Sequence, residues 1–139
     1  GEKSDSMYAK KQIKSLIDLI TFLKKKYNIK NNRILGHSDI APLRKIDPGK
    51  FFPWEKLDKF SIGIWVKTKK DDTKLNKDEY LKFLINLKKI GYGYFSNKIN
   101  NKKVIDSFHR HHLPTLTGYP PTQSSLLKSK DILNLKKID

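Results

Sequence analysis

The residues best suited to chemistry lie in one short segment, residues 36–49, which reads GHSDIAPLRKIDPG. His37 offers an imidazole, Lys45 follows it by eight residues, and Asp47 follows it by ten. Histidine and aspartate are both good zinc ligands, and a catalytic zinc usually takes three protein ligands and leaves one position for water. An ammonium group beside such an ion is suited to stabilising a developing oxyanion. These residue types at this spacing are compatible with a hydrolytic metal site.

The same residues also have a purely structural interpretation. His37 can cap the end of a strand, while Asp47 pairs with Arg44 or caps a turn. Two candidate ligands are fewer than a catalytic zinc requires. Spacing alone leaves both interpretations open.

Composition excludes several classes of protein. The 139 residues include no cysteine, which rules out a disulfide scaffold, a thiolate metal site and a cysteine nucleophile. No apolar stretch approaches the roughly 20 residues of a membrane-spanning helix. The net charge is +16, but lysine dominates arginine 27 to 3 and the charge is spread evenly along the chain. Readers of nucleic acid usually cluster arginine on one face, so the charge predicts a solvated surface. Nucleic-acid binding, marked by a steep salt dependence, is the weaker alternative.

The elements that position this segment are predicted from periodicity. Apolar residues between Met7 and Tyr27 recur at steps of three and four, which predicts a helix that ends near Asn28. Residues 33–36 then read as a short buried strand, and a helix followed by a buried strand favours an α/β unit. Three prolines between residues 42 and 53 predict irregular backbone beyond the strand.

The second half of the chain reads as helical. Residues 60–66 are expected to form an extended connector, and the charged residues 67–73 an exposed linker. Three short helices follow. The first spans residues 77–90, with Asn76 as its N-cap and Gly91 as its stop. The second spans residues 102–112, and the third begins after Thr122.

Residues 36–54 resemble the C-terminal motif of the zinc-dependent N-acetylmuramoyl-L-alanine amidases of the AmpD/AmiD type, which are related to phage lysozyme-like amidases. The family pattern reads Gly-His-Ser/Ala-Asp-Ile-Ala-Pro-Gly-Arg-Lys-x-Asp-Pro-Gly-x-x-Phe-x-Trp. Among its fixed positions only Leu43 departs, where the pattern usually has glycine, and Phe52 and Trp54 match its aromatic tail. The resemblance implies that His37 and Asp47 ligate zinc and that Lys45 assists the transition state.

The resemblance extends to the fold. The helix after Tyr8 and the segment into Gly36 look like the last helix and strand of the amidase domain, and residues 91–116 look like a peptidoglycan-binding-type helical domain. It implies the C-terminal part of an α/β, mixed-sheet amidase domain over residues 1–60 and a connector over residues 61–73. A small three-helix all-α domain over residues 74–139 would follow.

The implied reaction is cleavage of the amide bond between N-acetylmuramic acid and the L-alanine of the stem peptide, with Zn²⁺ as cofactor. Family members also use a further zinc histidine and a glutamate that moves the proton of the attacking water. We expect both on a missing N-terminal half, without which this chain is inactive. The implied partners are peptidoglycan or muropeptides and that missing half. No specific nucleic acid and no transmembrane segment are expected. The implied location is the bacterial cell envelope, on the periplasmic or outer-membrane side, or outside the cell.

Two alternatives remain at this stage. The chain can be a non-catalytic wall-binding or remnant module, in which His37 and Asp47 hold no metal. Separately, His109 and His112 lie three residues apart on a predicted helix and can share a metal, or they can simply pack. In the family a histidine also stands at the place of His111, where its role is structural.

Overall fold

The structure is a computed structural model that describes residues 7–138. In that part of the chain six α-helices are joined by loops and two short 3-10 turns. The α-helices are α1 (Lys10–Tyr27), α2 (His37–Ile40), α3 (Trp54–Asp58), α4 (Lys77–Ile90), α5 (Lys98–His112) and α6 (Gln123–Ile138). The 3-10 turns span Asn31–Arg33 and Pro114–Leu116.

The predicted strand, and with it the α/β fold class, is wrong for residues 7–138, which contain no strand and no sheet. Ile34 and Gly36 do have extended backbones. However, the Ile34 N–H bonds to the Asn31 carbonyl at 3.2 Å, and the Gly36 N–H bonds to Asp39 Oδ2 at 2.8 Å. Because both groups are used locally, they are not available for a strand ladder. One isolated antiparallel bridge, between Lys74 and Thr122, joins distant segments.

The predicted helix signals in the second half are largely confirmed. The Asn76 side chain accepts the Glu79 N–H at 2.8 Å, and Glu79 Oε1 accepts the Asn76 N–H at 3.0 Å. This reciprocal capping starts α4 at the predicted residue. Helix α5 begins four residues earlier than predicted, because the Asn97 side chain caps it by accepting the Asn100 N–H at 2.9 Å.

Two hydrophobic clusters organise the described chain. The N-terminal core joins α1 and α3 with the connector, and its buried members are Ile13, Trp54, Leu57 and Ile62. The C-terminal core lies among α4, α5 and α6, with Phe83, Leu87, Tyr92, Val104, Ile105, Phe108, Leu126 and Ile132. These side chains are nearly inaccessible to water, and burial of this kind is the main stabilising term of a small fold.

The connector between the two cores runs along α6 and is hydrogen-bonded to it. Thr68 Oγ1 donates to Asp131 Oδ2 at 2.9 Å, and Ser124 Oγ donates to the Asp71 carbonyl at 2.9 Å. Lys128, which is buried, donates to the Val66 carbonyl. The segment between the two cores is therefore held along one helix. Among the helices of residues 7–138, none combines the length and apolar character needed to cross a membrane.

We expect the free energy of unfolding to fall as the pH is lowered from about 6.5 to about 4. Burial lowers the pKa of His109 from 6.5 to about 4, against the smaller opposing effect of Asp106. In this interval the unfolded chain binds more protons, so stability is present above pH 6.5 and is lost as the pH falls. One such histidine accounts for about 3 kcal/mol. Urea unfolding at a series of pH values measures the effect.

The matched control is His109→Gln, whose amide can still bond Ser125 but does not titrate. The pH dependence should shrink in this variant, although not vanish, because burial lowers the pKa of His112 too. A stability of the original chain that stays constant between pH 7 and pH 4 would contradict the prediction.

Candidate metal-binding site

The segment with the candidate ligands is folded back on itself. His37 is the first residue of α2, and the six residues 41–46 that follow this helix return the chain to Asp47. The return is fixed by a backbone hydrogen bond from the Ser38 N–H to the Asp47 carbonyl, 2.9 Å long. The Asp47–Pro48 peptide bond is cis, and the Pro48 carbonyl accepts a 2.6 Å hydrogen bond from the Tyr8 hydroxyl of the N-terminal segment.

This folding brings two of the predicted site residues together. His37 Nδ1 lies 3.2 Å from Asp47 Oδ2, and both side chains are about half exposed, at 45% and 55%. Tyr8 lies close enough to Asp47 to be affected by its charge. The pKa of Tyr8 is raised mainly by burial and, to a smaller extent, by the charge of Asp47. The pair therefore faces solvent with a negative charge available, as a cation ligand requires.

An apolar groove borders the pair. It has a volume of about 230 Å³ and is lined by His37 and Asp47 together with apolar side chains that include Leu16, Ile20, Ile34, Phe52 and Leu57. A groove of this composition can hold the apolar part of a ligand next to a polar or metal-binding edge.

Lys45 lies away from this groove. It lines a separate cavity of about 250 Å³ together with Arg44, Lys103, Asp106 and Arg110. Asp106 forms an ion pair with Lys102, with 3.0 Å between Lys102 Nζ and Asp106 Oδ2. Within the described residues Lys45 forms no ion pair. The structure thus brings His37 and Asp47 together and places Lys45 in a different cavity.

A set of buried polar contacts is centred on Asp39, two residues after His37 in α2. Asp39, the third residue of α2, accepts three hydrogen bonds, and we refer to this set as the Asp39 network. The donors are the Gly36 N–H at 2.8 Å, the Tyr92 hydroxyl at 2.5 Å and His111, whose Nδ1 lies 2.7 Å from Oδ2. Tyr92 precedes α5 and His111 lies in it, so the network joins the two halves of the chain.

The network fixes the charge of Asp39. Burial by itself raises the pKa of this carboxyl, but the charge of His111 and the hydrogen bonds from His111, Tyr92 and the Gly36 N–H outweigh it, and the pKa is lowered. Burial and the neighbouring carboxylate raise the pKa of Tyr92, which therefore remains a proton donor. Asp39 is an ionised buried acceptor with its partners in place.

Aromatic stacking holds His111 from both sides. Its ring lies 3.9 Å from that of Trp54, nearly parallel at 11°, and 3.9 Å from that of His112 at 7°. Burial, followed by the charges of His111 and Lys128, lowers the pKa of His112 well below its ordinary value, so His112 stays neutral. The stack joins the N-terminal core, through Trp54, to α5.

Sequence reasoning missed the Asp39 network. Its local part was readable, since Asp39 is at the third position of a helix that begins after Gly36, where a carboxylate accepts the cap N–H. Its partners Tyr92 and His111 are distant in sequence, and no local pattern indicates them.

The shared metal considered for His109 and His112 finds no support, because His109 Nε2 lies 2.8 Å from Ser125 Oγ. Across residues 7–138 no three His, Cys, Asp or Glu residues are grouped to hold a metal.

Comparison with known proteins gives a family match for the first part of the chain. Residues 1–50 match the family described as N-acetylmuramoyl-L-alanine amidase. The chain is 42% identical over 65 residues to the N-acetylmuramoyl-L-alanine amidase AmiD of Escherichia coli, covering 47% of this chain and 24% of AmiD. It is 51% identical over 43 residues to the 1,6-anhydro-N-acetylmuramyl-L-alanine amidase AmpD of Haemophilus influenzae, covering 30% and 23% of the two chains.

Solved structures extend the similarity to the helical half. Escherichia coli AmiD, in complex with the substrate anhydro-N-acetylmuramic acid-L-Ala-D-gamma-Glu-L-Lys, matches 96% of this chain with a TM-score of 0.86 and 27% identity. AmpDH3 of Pseudomonas aeruginosa matches 96% with a TM-score of 0.77 and shares the fold at 22% identity. This chain spans 55% and 56% of those two structures. The resemblance to the AmpD/AmiD-type N-acetylmuramoyl-L-alanine amidases is thereby confirmed.

Replacing Gly36 by alanine should destabilise the loop that holds the ligand pair. A Cβ at this position would lie 2.7 Å from Pro48 Cδ and 3.2 Å from Asp39 Oδ2. Relieving this overlap moves Pro48, and with it Asp47, at a cost of about 1–3 kcal/mol. Gly93→Ala is the control, because a Cβ there meets no heavy atom within 4 Å. Equal unfolding free energies for the two variants in urea would contradict this account.

Proposed function

We propose that this chain, a relative of the AmpD/AmiD-type N-acetylmuramoyl-L-alanine amidases, carries part of a zinc-dependent amidase site. The proposed reaction is hydrolysis of the amide between N-acetylmuramic acid and the L-alanine of the stem peptide. His37 and Asp47 are the proposed zinc ligands, and Lys45 is the proposed catalytic residue. We also propose that residues 1–60 belong to the catalytic domain, that residues 61–73 connect it, and that residues 74–139 form the helical, peptidoglycan-binding-like domain.

The observation that carries the proposal is the close approach of the His37 and Asp47 side chains. Two ligand atoms on one tetrahedral zinc, each about 2.0–2.1 Å from the ion, lie about 3.3 Å apart. His37 Nδ1 and Asp47 Oδ2 are 3.2 Å apart and half exposed. The donor types and their separation therefore fit one zinc ion without rearrangement of the loop.

When bound, zinc polarises the scissile carbonyl and makes the attacking water more acidic. In the proposed mechanism His37 and Asp47 would hold the ion, and the apolar groove beside them would bind an apolar part of the substrate. Lys45 Nζ donates a hydrogen bond to the oxyanion that develops on the carbonyl oxygen. To do so, the Lys45 side chain must leave the cavity that it lines beside Arg110.

Two donors occupy only half of the zinc positions, so we propose that a further histidine and a proton-transferring glutamate come from outside this chain. The length of the relatives supports this, since the chain spans 55% of the AmiD structure. The exposed apolar side chains of α1, Leu19 at 54% and Phe22 at 60%, suit a contact with such a segment. The chain alone is expected to bind zinc weakly and to show no measurable amidase activity.

The proposed substrates are muropeptides, and the proposed setting is turnover or recycling of the cell wall in the bacterial envelope. Support comes from AmiD, whose structure holds an anhydro-muramyl peptide as substrate. The Haemophilus influenzae relative is named as a 1,6-anhydro-muramyl amidase. Both names favour the anhydro form of the sugar.

Zinc titration tests the ligands. We expect the full chain to bind Zn²⁺ in isothermal titration calorimetry and expect His37→Ala and Asp47→Ala each to abolish the binding, since each removes one of only two donors. Asp58→Ala, which alters an exposed aspartate of α3, serves as the control and should bind like the original chain. Absence of zinc binding even after reconstitution with the segment that supplies the remaining ligands would favour the non-catalytic, wall-binding alternative, which a sedimentation assay with purified peptidoglycan then measures.

Lys45→Ala tests catalysis separately from metal binding. In the protein reconstituted with the segment that supplies the remaining groups, the zinc content should be unchanged, because an ammonium group cannot ligate a cation. The kcat for an anhydro-muramyl peptide should fall about 100-fold, as for the loss of a typical oxyanion donor. Lys56→Ala, on the exposed face of α3, is the control. An unchanged kcat with full zinc would rule out the role of Lys45, and a loss of zinc would assign it to holding the loop.

A further inference from the structure

We infer that Tyr92 and His111, in the helical half of the chain, are positioning residues for the proposed zinc ligand His37 and act through Asp39. The inference rests on the proposed function, since it assigns a second part of the chain to the same site. Neither residue contacts the ligand pair. Their effect is carried by the buried carboxylate of Asp39, two residues after His37 in α2.

The first step is the attachment of His37 to Asp39. Helix α2 has four residues and therefore too few internal hydrogen bonds to be stable by itself. Asp39 Oδ2 accepts the Gly36 N–H at 2.8 Å, and the Gly36 carbonyl accepts the Asp39 N–H at 3.1 Å. These bonds fix the backbone on both sides of His37. The direction of its imidazole therefore depends on where the Asp39 carboxylate lies.

The second step is the attachment of Asp39 to the helical half. The Tyr92 hydroxyl holds Oδ1 at 2.5 Å and His111 Nδ1 holds Oδ2 at 2.7 Å. The side chains of Asp39 and His111 are only 5% and 4% exposed, so water cannot replace either donor. A buried carboxylate that loses a donor must find another or move toward solvent. Removing either donor thus displaces the residue that sets the start of α2.

The third step is the rigidity of His111 itself. Its ring is stacked between Trp54 and His112, at 3.9 Å from each. Trp54 lies at the end of the segment that carries Asp47, and its buried ring belongs to the N-terminal core. His111 therefore has a fixed position relative to both ligand-bearing segments, as a positioning residue requires.

A pair of nearly isosteric substitutions tests the inference. Asparagine places its Nδ2 where His111 has Nδ1, so His111→Asn keeps a donor for Asp39, whereas His111→Leu has the same shape without the donor. Both lose the stack with Trp54, and their difference isolates the hydrogen bond. In the full chain, zinc affinity should stay within about 2-fold for His111→Asn relative to the original chain. It should fall about 10-fold for His111→Leu, the lower end of the range for groups bonded directly to a metal ligand, because His111 acts through one further residue.

Two further variants keep the test decisive. Tyr92→Phe removes the hydroxyl that donates a hydrogen bond to the same carboxylate, so it should also weaken zinc binding. This variant tests the inference if His111→Leu does not fold. Ser125→Ala removes the 2.8 Å contact of Ser125 with His109. His109 lies in α5, as His111 does, but it does not contact Asp39. Ser125→Ala should therefore lower the melting temperature without changing zinc affinity. Equal zinc affinities for the two His111 variants, or an equal loss in Ser125→Ala, would overturn the inference.

A readout without zinc separates this inference from the proposed function. The chain has four histidines, so the ring ¹⁵N signals of His37 can be assigned in a histidine-labelled sample. We expect His111→Asn to retain the ring shifts of the original chain and His111→Leu to move them toward those of a free, exposed imidazole. If the chain binds no zinc even when it is reconstituted with the segment that supplies the remaining ligands, the proposed function fails, while these shifts still decide the positioning role. Identical His37 shifts in both variants would refute it.

Discussion

The structure depends on keeping one carboxylate, Asp39, ionised in the interior. A buried charge is costly unless donors surround it, and here the donors come from three places: the Gly36 backbone, the Tyr92 hydroxyl and the His111 imidazole. The loop with the candidate ligands and the helical half are consequently joined by charged hydrogen bonds as well as by apolar contact. Neither side can move away without leaving a charge unpaired.

Features of the fold that are encoded locally could be predicted from the sequence. The Asn76–Glu79 capping box and Gly91 gave the limits of α4, because caps satisfy backbone groups within a few residues. The end of α1 at Asn28, which adopts a left-handed conformation, follows from the same kind of signal. The predicted strand failed because strand formation requires a partner. Ile34 and Gly36 do have extended backbones, but their N–H groups are bonded to neighbours within the loop.

The candidate site was predictable in its residues and not in its surroundings. The motif placed His37 and Asp47 in one segment, and the structure brings their side chains to 3.2 Å. The place of Lys45 in a separate basic cavity depends on α5, which supplies Lys103 and Arg110. Likewise, the bonds of Tyr92 and His111 to Asp39 follow only from how the helical half packs against the loop.

The Asp39 network also bears on the order of folding. Its partners are 53 and 72 residues away along the chain, so forming it requires the closure of long loops. Closure of this kind is entropically unfavourable until the elements at both ends exist. Helices α4 and α5 contain mainly local contacts and are expected to form first. On a ribosome, the ligand-bearing loop would then remain unfixed until His111 has been synthesised and has left the exit tunnel, so the site would be among the last parts of the chain to mature.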